Sequence, residues 1–214
     1  MLKKILLLSL LLLAPPLTAQ EEVTFQDNIN YFEIFPTYPS AEKGKIDVME
    51  FFWYNCPHCL DFEPQLQKWL ETKPADVNFV QVPVIFNKTA RFHAEVYYSL
   101  ELMGKSHDLQ MKIFSAIHDN GKKLNDEEAM TAFVAEQGLD AETFRNNLKS
   151  FAVQTRVNRA QDLGKRFDIT GVPNVVVNGT FRTGQTAGYE QMIQLIDFLI
   201  AKVREENGQA VAIK

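Results

Sequence analysis

Cysteine is scarce in this sequence. Its 214 residues include only two, Cys56 and Cys59, and both lie in one Cys-x-x-Cys motif. Small secreted scaffolds held by disulfides carry more cysteines, spread along the chain. A zinc site would need two further ligands, and the four histidines form no second pair at ligand spacing. Because a bridge across so few residues hardly restricts the unfolded chain, a structural disulfide is a poor explanation too. The pattern favours a redox-active pair.

Clusters of positive charge are also lacking. The net charge is −5, and the sequence has no dense group of lysines and arginines. Both facts argue against a nucleic-acid partner. The hydrophobic fraction of 46% and the charged fraction of 23% are those of an ordinary soluble globular protein. The length suits one domain, or one domain with an insertion.

Long apolar runs are absent except near the start of the chain. Lys3 and Lys4 precede the apolar run Ile5–Leu13, and Ala19 follows at a plausible cleavage position. This order is typical of a secretory signal peptide. The run is too short to span about 30 Å of hydrocarbon, which argues against a membrane anchor. We therefore predict a signal peptide over residues 1–19, cleaved after Ala19, and export of the remainder.

Apolar patterns on either side of the cysteines predict a strand followed by a helix. Ile46–Trp53 is short and bulky, as in a strand buried on both faces. After the motif, apolar residues recur at near-helical spacing until Pro74. The cysteines are thus predicted to lie where a central strand meets the N-terminus of a helix.

The rest of the chain completes a recognisable order of elements. We predict an edge strand near Tyr31–Phe35 and a second apolar strand at 77–85. About five helices follow at 87–167, then a hairpin with an Asn-Gly turn at 175–182 and a last helix at 189–205. Without the helical block the order is β-α-β-β-β-α, as in thioredoxin. The predicted class is α/β, a thioredoxin-like central mixed sheet flanked by helices, with an inserted all-helical domain. Its predicted parts are 20–86 and 168–214 for the thioredoxin-like domain and 87–167 for the insert.

The predicted position gives the two cysteines different chemistry. Disulfide exchange needs a thiolate, and the unpaired N–H groups of a helix N-terminus favour negative charge on Cys56. His58 can add a positive or donor group, and Pro57 suits the first helical turn because it has no N–H. Cys59 lies one turn deeper. We expect Cys56 to be the exposed nucleophile and Cys59 to be buried and to resolve the mixed disulfide.

The active-site segment resembles that of a known family. The residues Glu-Phe-Phe-Trp-Tyr-Asn-Cys-Pro-His-Cys at 50–59, followed by Phe62 and Glu63, are similar to those of the DsbA-type periplasmic thiol:disulfide oxidoreductases of the thioredoxin superfamily. Cys-Pro-His-Cys is characteristic of that branch. A second match is Gly171-Val172-Pro173 before the strand at 175–177. In this superfamily a cis-proline at that place faces the active-site disulfide.

The resemblance implies a function and its partners. It implies a periplasmic dithiol oxidase that donates its Cys56–Cys59 disulfide to reduced, unfolded exported proteins. It implies no metal and no cofactor beyond that disulfide, and reoxidation by a membrane DsbB-like, quinone-linked partner. Val172 and Pro173 would form the substrate-binding loop. If the pKa of Cys56 falls to about 4, thiolate stabilisation at pH 7 amounts to about 4 kcal/mol, or roughly 90 mV toward an oxidant.

One departure from the family concerns Glu50. Glu50 matches a buried acid that usually has a lysine partner on the neighbouring strand, and Gln81 occupies that partner position here. We expect the charge pair to be absent and burial to raise the pKa of Glu50. Proton exchange between Glu50 and Cys59 follows as a hypothesis. Pro57, His58 and Glu50 are therefore the candidate residues that tune pKa and potential.

Two alternatives remain open at this point. One is a disulfide isomerase or reductase on the same fold, although such isomerases usually carry a separate dimerisation domain. The other is a copper(I)-binding chaperone using the two thiols, since copper(I) accepts soft thiolates. No methionine-rich cluster near the motif supports it. The remaining histidines, at 93, 107 and 118, are predicted to be surface residues, and Trp53 a core residue.

Overall fold

The computed structural model describes residues 24–40 and 42–208. The predicted signal peptide, residues 1–19, lies outside them. Within the described residues there are five strands and seven helices: β1 Tyr31–Glu33, β2 Ile46–Phe52, α1 Pro57–Thr72, β3 Val77–Pro83, α2 Lys88–Leu102, α3 Ser106–His118, α4 Glu127–Glu136, α5 Ala141–Leu148, α6 Phe151–Arg166, β4 Asn174–Val177, β5 Phe181–Thr183 and α7 Tyr189–Glu206. None of these helices has the length and apolar character needed to cross a membrane.

The strands form one mixed sheet in the order β1-β5-β4-β2-β3. β2 pairs in parallel with β3 and antiparallel with β4. The crossover helix between the two parallel strands is α1, which begins directly after the cysteine motif. The predicted central position of β2 is confirmed, and β1 is the predicted edge strand at the far side of the sheet.

Side chains of the central strands alternate between the two faces of the sheet. Ile46 and Val48 of β2 point to one face, where they pack with Phe62 and Leu66 of α1 and with the apolar residues of α7. Phe51 packs on the opposite face, in the cluster that includes the inserted helices. A strand alternates with a period of two, so Glu50 shares the face of Ile46 and Val48. This register directs a carboxyl toward α1, beneath the cysteines.

The helices α2 to α6 all lie between β3 and β4 along the chain, as the helical pattern predicts. Four of them begin at a residue whose side chain accepts a hydrogen bond from a backbone N–H of the first turn, namely Asn87, Asp126, Asp140 and Ser150. The described fold is thus a thioredoxin-like sheet with a helical insertion. The domain bounds at 86/87 and 167/168 stay a prediction.

The second predicted apolar strand, β3, is slightly shorter than predicted. β3 ends at Pro83 and not at Ile85. Proline has no N–H to donate, so it interrupts a ladder of backbone hydrogen bonds. Val84 still donates from its N–H to the carbonyl of Phe52, at 2.9 Å. The chain therefore stays beside β2 up to the start of the active-site loop.

Candidate active site

Cys56 lies at the junction between β2 and α1. After β2 the chain turns through Trp53, and the Cys56 N–H donates to the Trp53 carbonyl at 2.9 Å. Cys56 is the N-cap of α1 with extended backbone angles, and Pro57 follows as the first helical residue. Proline suits this position because the first N–H groups of a helix have no partner within it. The predicted placement of the motif is confirmed.

The two thiols are three residues apart but have different surroundings. Cys56 is half-buried, whereas Cys59 is fully buried. A hydrogen bond from the Cys59 side chain is the largest cause that lowers the pKa of Cys56, to about 6; backbone N–H groups of Cys59 and His58 and the charge of His58 act the same way, against burial. Burial raises the pKa of Cys59 far above its ordinary value. The pair thus combines one thiol that ionises readily with one that holds its proton.

The loop before β4 contacts Cys56. The Val172–Pro173 peptide bond is cis. Its carbonyl, that of Val172, accepts a hydrogen bond from Cys56 Sγ at 3.3 Å. Residues 116 positions apart in the chain therefore meet at the reactive sulfur. The sequence motif identified this loop, and the structure brings it to Cys56.

Glu50 lies on β2 and is fully buried. The register pairs it with Gln81 of β3, and Gln81 Nε2 donates to Glu50 Oε2 at 2.8 Å. Burial raises the pKa of Glu50 to about 8, the charge of Glu63 adds to the rise, and the hydrogen bond from Gln81 opposes it. The charge of Glu50 is in turn one of the causes that raise the pKa of Cys59. A neutral amide thus occupies the position of the expected lysine, and Glu50 is protonated at neutral pH.

A second buried acid, Glu63 on α1, lies close to Glu50. It is fully buried, and burial raises the pKa of its carboxyl. Gln67, one turn further along α1, donates to Glu63 Oε1 at 2.6 Å. Glu63 belongs to the segment that carries the family resemblance, but the sequence alone predicts no role for it. The helical spacing of Phe62 and Leu66 could have indicated its face, since Glu63 lies between them on the same turn.

His58 contacts Tyr189, a residue for which the sequence predicts no role. Its Nδ1 lies 3.2 Å from the hydroxyl oxygen of Tyr189, the first residue of α7. The same nitrogen lies 3.9 Å from Asp61 Oδ2. Nothing in the local sequence could show this contact, because 131 residues separate His58 from Tyr189.

The helical insert holds the loop that precedes Cys56. The Tyr54 hydroxyl donates to Gln110 Oε1 at 3.1 Å, and His118 Nε2 donates to the Tyr54 carbonyl at 2.8 Å. Tyr54 itself is fully buried and stacks edge-on against Phe52 and Phe114. Two side chains of α3 thus fix the backbone and the side chain of one active-site loop residue.

Two of the three remaining histidines are not surface residues, so that prediction is wrong for them. His93 is fully buried, its Nε2 donates to the Leu124 carbonyl at 3.0 Å, and burial lowers its pKa to about 4. His118 is half-buried against the Tyr54 carbonyl. Only His107 is exposed. A polar residue on an amphipathic helix can be buried when a carbonyl on a neighbouring segment accepts a hydrogen bond from it, and the sequence does not show that acceptor.

The described residues contain no group of three or more histidine, cysteine or acidic side chains arranged to hold a metal ion. The two thiols at the centre of the site have unequal surroundings. Its chemistry is therefore that of a thiol pair with unequal pKa values beside a buried, protonated carboxyl.

Comparison with known proteins identifies the family of the chain. The model of the DSBA-like thioredoxin domain matches residues 47–197, which include the cysteine motif, the helical insert and the first half of α7. The chain belongs to this family.

Relatives and solved structures agree with this family. The thiol:disulfide interchange protein DsbA of Pseudomonas aeruginosa is 42% identical over 176 residues, covering 81% of this chain and 83% of the relative. DsbA of Pseudomonas syringae pv. tomato is 38% identical over 190 residues, covering 88% and 89%. The crystal structure of P. aeruginosa DsbA has a TM-score of 0.81 and 38% identity, covering 86% of this chain and 97% of that one. The chain is thus a DsbA-like thiol:disulfide oxidoreductase with a thioredoxin-like fold.

Proposed function

We propose that this DsbA-family protein is a periplasmic dithiol oxidase that donates a Cys56–Cys59 disulfide to reduced exported proteins. The observation that carries the proposal is the contrast between the two thiols. Cys56 is accessible and has a pKa of about 6, whereas burial keeps Cys59 protonated. A pair that stabilises its reduced form in this way gives up its disulfide readily.

The proposed exchange runs in two steps. A client thiolate attacks Cys56 Sγ of the oxidised pair, the Cys56–Cys59 bond breaks, and its electron pair leaves on Cys59. The product is a mixed disulfide between the client and Cys56. A second client thiolate then attacks the client sulfur of that bond, and Cys56 leaves as a thiolate. The client gains a disulfide, and the protein gains the two electrons.

Glu50 is proposed to supply the proton that Cys59 needs. When Cys59 leaves as a thiolate inside the protein, its raised pKa makes it a strong base. Glu50 is buried close enough to Cys59 for its charge to affect the pKa of that thiol. Glu50 carries a proton at neutral pH because its pKa is about 8. Transfer from the carboxyl to the sulfur avoids an isolated buried thiolate, which would be costly without a partner. Pro57 and His58 would tune Cys56 from the first turn of α1.

Val172 and Pro173 are proposed to bind the client chain. Their shared peptide bond places a carbonyl 3.3 Å from Cys56 Sγ, so a client linked to that sulfur must pass this loop. A backbone carbonyl can pair with the N–H of any extended client, irrespective of its sequence. This suits an enzyme whose substrates are unfolded chains of many kinds.

The cellular setting of the proposal rests on the family resemblance and on the first residues of the sequence. The protein would act in the periplasm after cleavage behind Ala19. It would need no cofactor besides its own disulfide, and a membrane DsbB-like, quinone-linked partner would reoxidise it. The family relationship does not favour the isomerase, reductase or copper(I) chaperone alternatives.

The test uses two reduced peptides and the oxidised protein. A peptide with two cysteines should become oxidised while an equal amount of protein is reduced. A peptide with one cysteine, quenched with acid and mapped by mass spectrometry, should be attached to Cys56. Attachment to Cys59, or a failure to oxidise the two-cysteine peptide, would contradict the proposal. Rearrangement of scrambled disulfides faster than peptide oxidation would point to the isomerase instead.

A further inference from the structure

The imidazole of His58 is held from a distant part of the chain. His58 is the second residue of α1, and 72% of its side chain is exposed. An exposed side chain on a helix surface ordinarily samples several rotamers. Here Nδ1 lies 3.2 Å from the hydroxyl oxygen of Tyr189. This contact gives the ring one preferred orientation.

Tyr189 is itself fixed in place. Its ring packs against that of Phe62, with 5.7 Å between centroids and 40° between planes. Phe62 is fully buried in the core between α1 and α7. Tyr189 also begins α7 directly after Gly188, whose φ of 151° suits glycine. The phenol oxygen therefore has a position set by the core, and His58 adapts to it.

The groups around Nδ1 indicate which atom carries the proton. Two acceptors converge on this nitrogen, the phenol oxygen of Tyr189 and, at 3.9 Å, a carboxylate oxygen of Asp61. Burial and the charges of Asp61, Cys56 and Cys59 raise the pKa of Tyr189, so the phenol stays neutral. An N–H on Nδ1 satisfies both oxygens and fixes the orientation of the ring. The charge of His58 is one of the causes that lower the pKa of Cys56.

We propose that Tyr189 is a positioning residue for the redox pair. Its hydroxyl accepts a hydrogen bond from His58 Nδ1–H and holds the imidazole ring near Cys56, so that His58 stabilises the Cys56 thiolate and makes the disulfide more oxidising. The proposal rests on the proposed role of Cys56 as the nucleophile. It adds a residue of α7, far away in sequence, to tuning residues that otherwise lie on β2 and in the first turn of α1.

The effect falls on one redox state. A positive charge near Cys56 interacts with the thiolate of the reduced form, whereas the disulfide carries no charge there. Losing the Tyr189 hydroxyl therefore makes the reduced form less stable and leaves the stability of the oxidised form nearly unchanged. A residue that served the fold alone would destabilise both forms together.

The test is Tyr189→Phe, which keeps the ring that packs on Phe62 and removes the hydroxyl. We expect the pKa of Cys56, followed by its thiolate absorbance, to rise. The equilibrium constant for oxidation of glutathione should fall about threefold to tenfold, the upper limit corresponding to roughly 30 mV. Tyr38→Phe is the matched control, because Tyr38 is an exposed tyrosine beside the Gly179 turn at the other end of β4. It should change neither value.

Two further variants separate this inference from the proposed function. His58→Ala should shift both values at least as far as Tyr189→Phe, and the double variant should match His58→Ala alone. If His58→Ala shifts both values and Tyr189→Phe shifts neither, the inference about Tyr189 is overturned while the role of His58 stands. If His58→Ala also shifts neither value, both the inference and the proposed tuning by His58 are wrong. Additive effects in the double variant would likewise overturn action through His58.

Discussion

Cys56 and Cys59 show how strongly the surroundings of a thiol change its pKa. The pKa of Cys56 is lowered to about 6, and its largest cause is the hydrogen bond from the Cys59 thiol. The helix N-terminus and His58, the causes expected from the sequence, act in the same direction but less. At pH 7 a pKa of about 6 makes the thiolate about tenfold favoured, or at most about 30 mV for a half-exposed, solvent-screened group. A pKa of about 4, the value supposed from the sequence, would give roughly three times this contribution.

Selective alkylation tests the assignment of the nucleophile. In the reduced protein, Cys56 should react with iodoacetamide, with a pH midpoint near its pKa of about 6. Cys59 should stay protected, because it is fully buried. Peptide mapping after limited alkylation gives the site. Cys56→Ala is the control and should react slowly throughout; faster labelling of Cys59 in the unaltered protein would refute the assignment.

Replacement of Glu50 tests its proton role. Glu50→Gln keeps the shape and the polar pairing with Gln81 but carries no transferable proton. We expect oxidation of a reduced peptide at pH 7 to slow by about 100-fold or more, since general acid catalysis contributes roughly 10²–10⁴-fold. Glu142→Gln, a change at an exposed acid on α5, is the matched control. Equal peptide oxidation rates for Glu50→Gln and the unaltered protein from pH 5 to 9 would leave Glu50 without a catalytic role.

At the scale of elements, the junction between β2 and α1 is the part of the site that the sequence predicts best. A bulky apolar run and a helical repeat meet at the cysteines, so local pattern alone places Cys56 at a helix N-terminus. The register of β2 with β3 also follows, and with it the pairing of Glu50 with Gln81. The contacts made by His118 and Tyr189 could not be predicted, because they join segments far apart in the chain whose distance is set by packing.

The hydrogen bond from α3 to the loop before Cys56 can be tested by replacing His118. His118→Leu keeps an apolar volume beside Phe114 but leaves the Tyr54 carbonyl without its donor. Leaving a buried acceptor unpaired should lower the free energy of unfolding by about 1–2 kcal/mol. Urea unfolding should show this loss equally in the oxidised and reduced forms, with His107→Leu, at an exposed position of α3, as the control. A loss confined to one redox form would show that His118 tunes the cysteines and does not only support the loop.

At the scale of the whole molecule, two buried acids lie near the cysteine motif. Each accepts a hydrogen bond from a neutral amide, Glu50 from Gln81 and Glu63 from Gln67. Glu50 has a pKa of about 8 in the folded protein against 4.5 when unperturbed, and burial also raises that of Glu63. A raised pKa contributes stability that is fully present below 4.5 and is lost as the pH rises through about 8. The fold therefore loses stability at neutral pH by keeping the protonated carboxyl of Glu50 close to Cys59.

The pH dependence of stability measures that cost. The free energy of unfolding of the oxidised protein should fall between pH 5 and 8, by on the order of 3 kcal/mol for Glu50. Glu50→Gln should be more stable than the unaltered protein at pH 8 and should flatten the profile, while Glu142→Gln should follow the unaltered protein. A profile that Glu50→Gln leaves unchanged would mean that Glu50 is ionised in the folded state at neutral pH.

The central claim is that the folded protein favours the reduced form of Cys56 and Cys59, and urea unfolding of the two redox forms side by side tests it most directly. A thiol with a lowered pKa stabilises the folded reduced protein above its folded pKa, and this contribution disappears as the pH falls through about 6. At pH 7 the reduced form should be the more stable by up to about 1.4 kcal/mol, since solvent screens the half-exposed sulfur. The gap should narrow toward pH 5. An oxidised form that is clearly the more stable at pH 7 would contradict the account, because the bridge would then be structural or the pair a reductant.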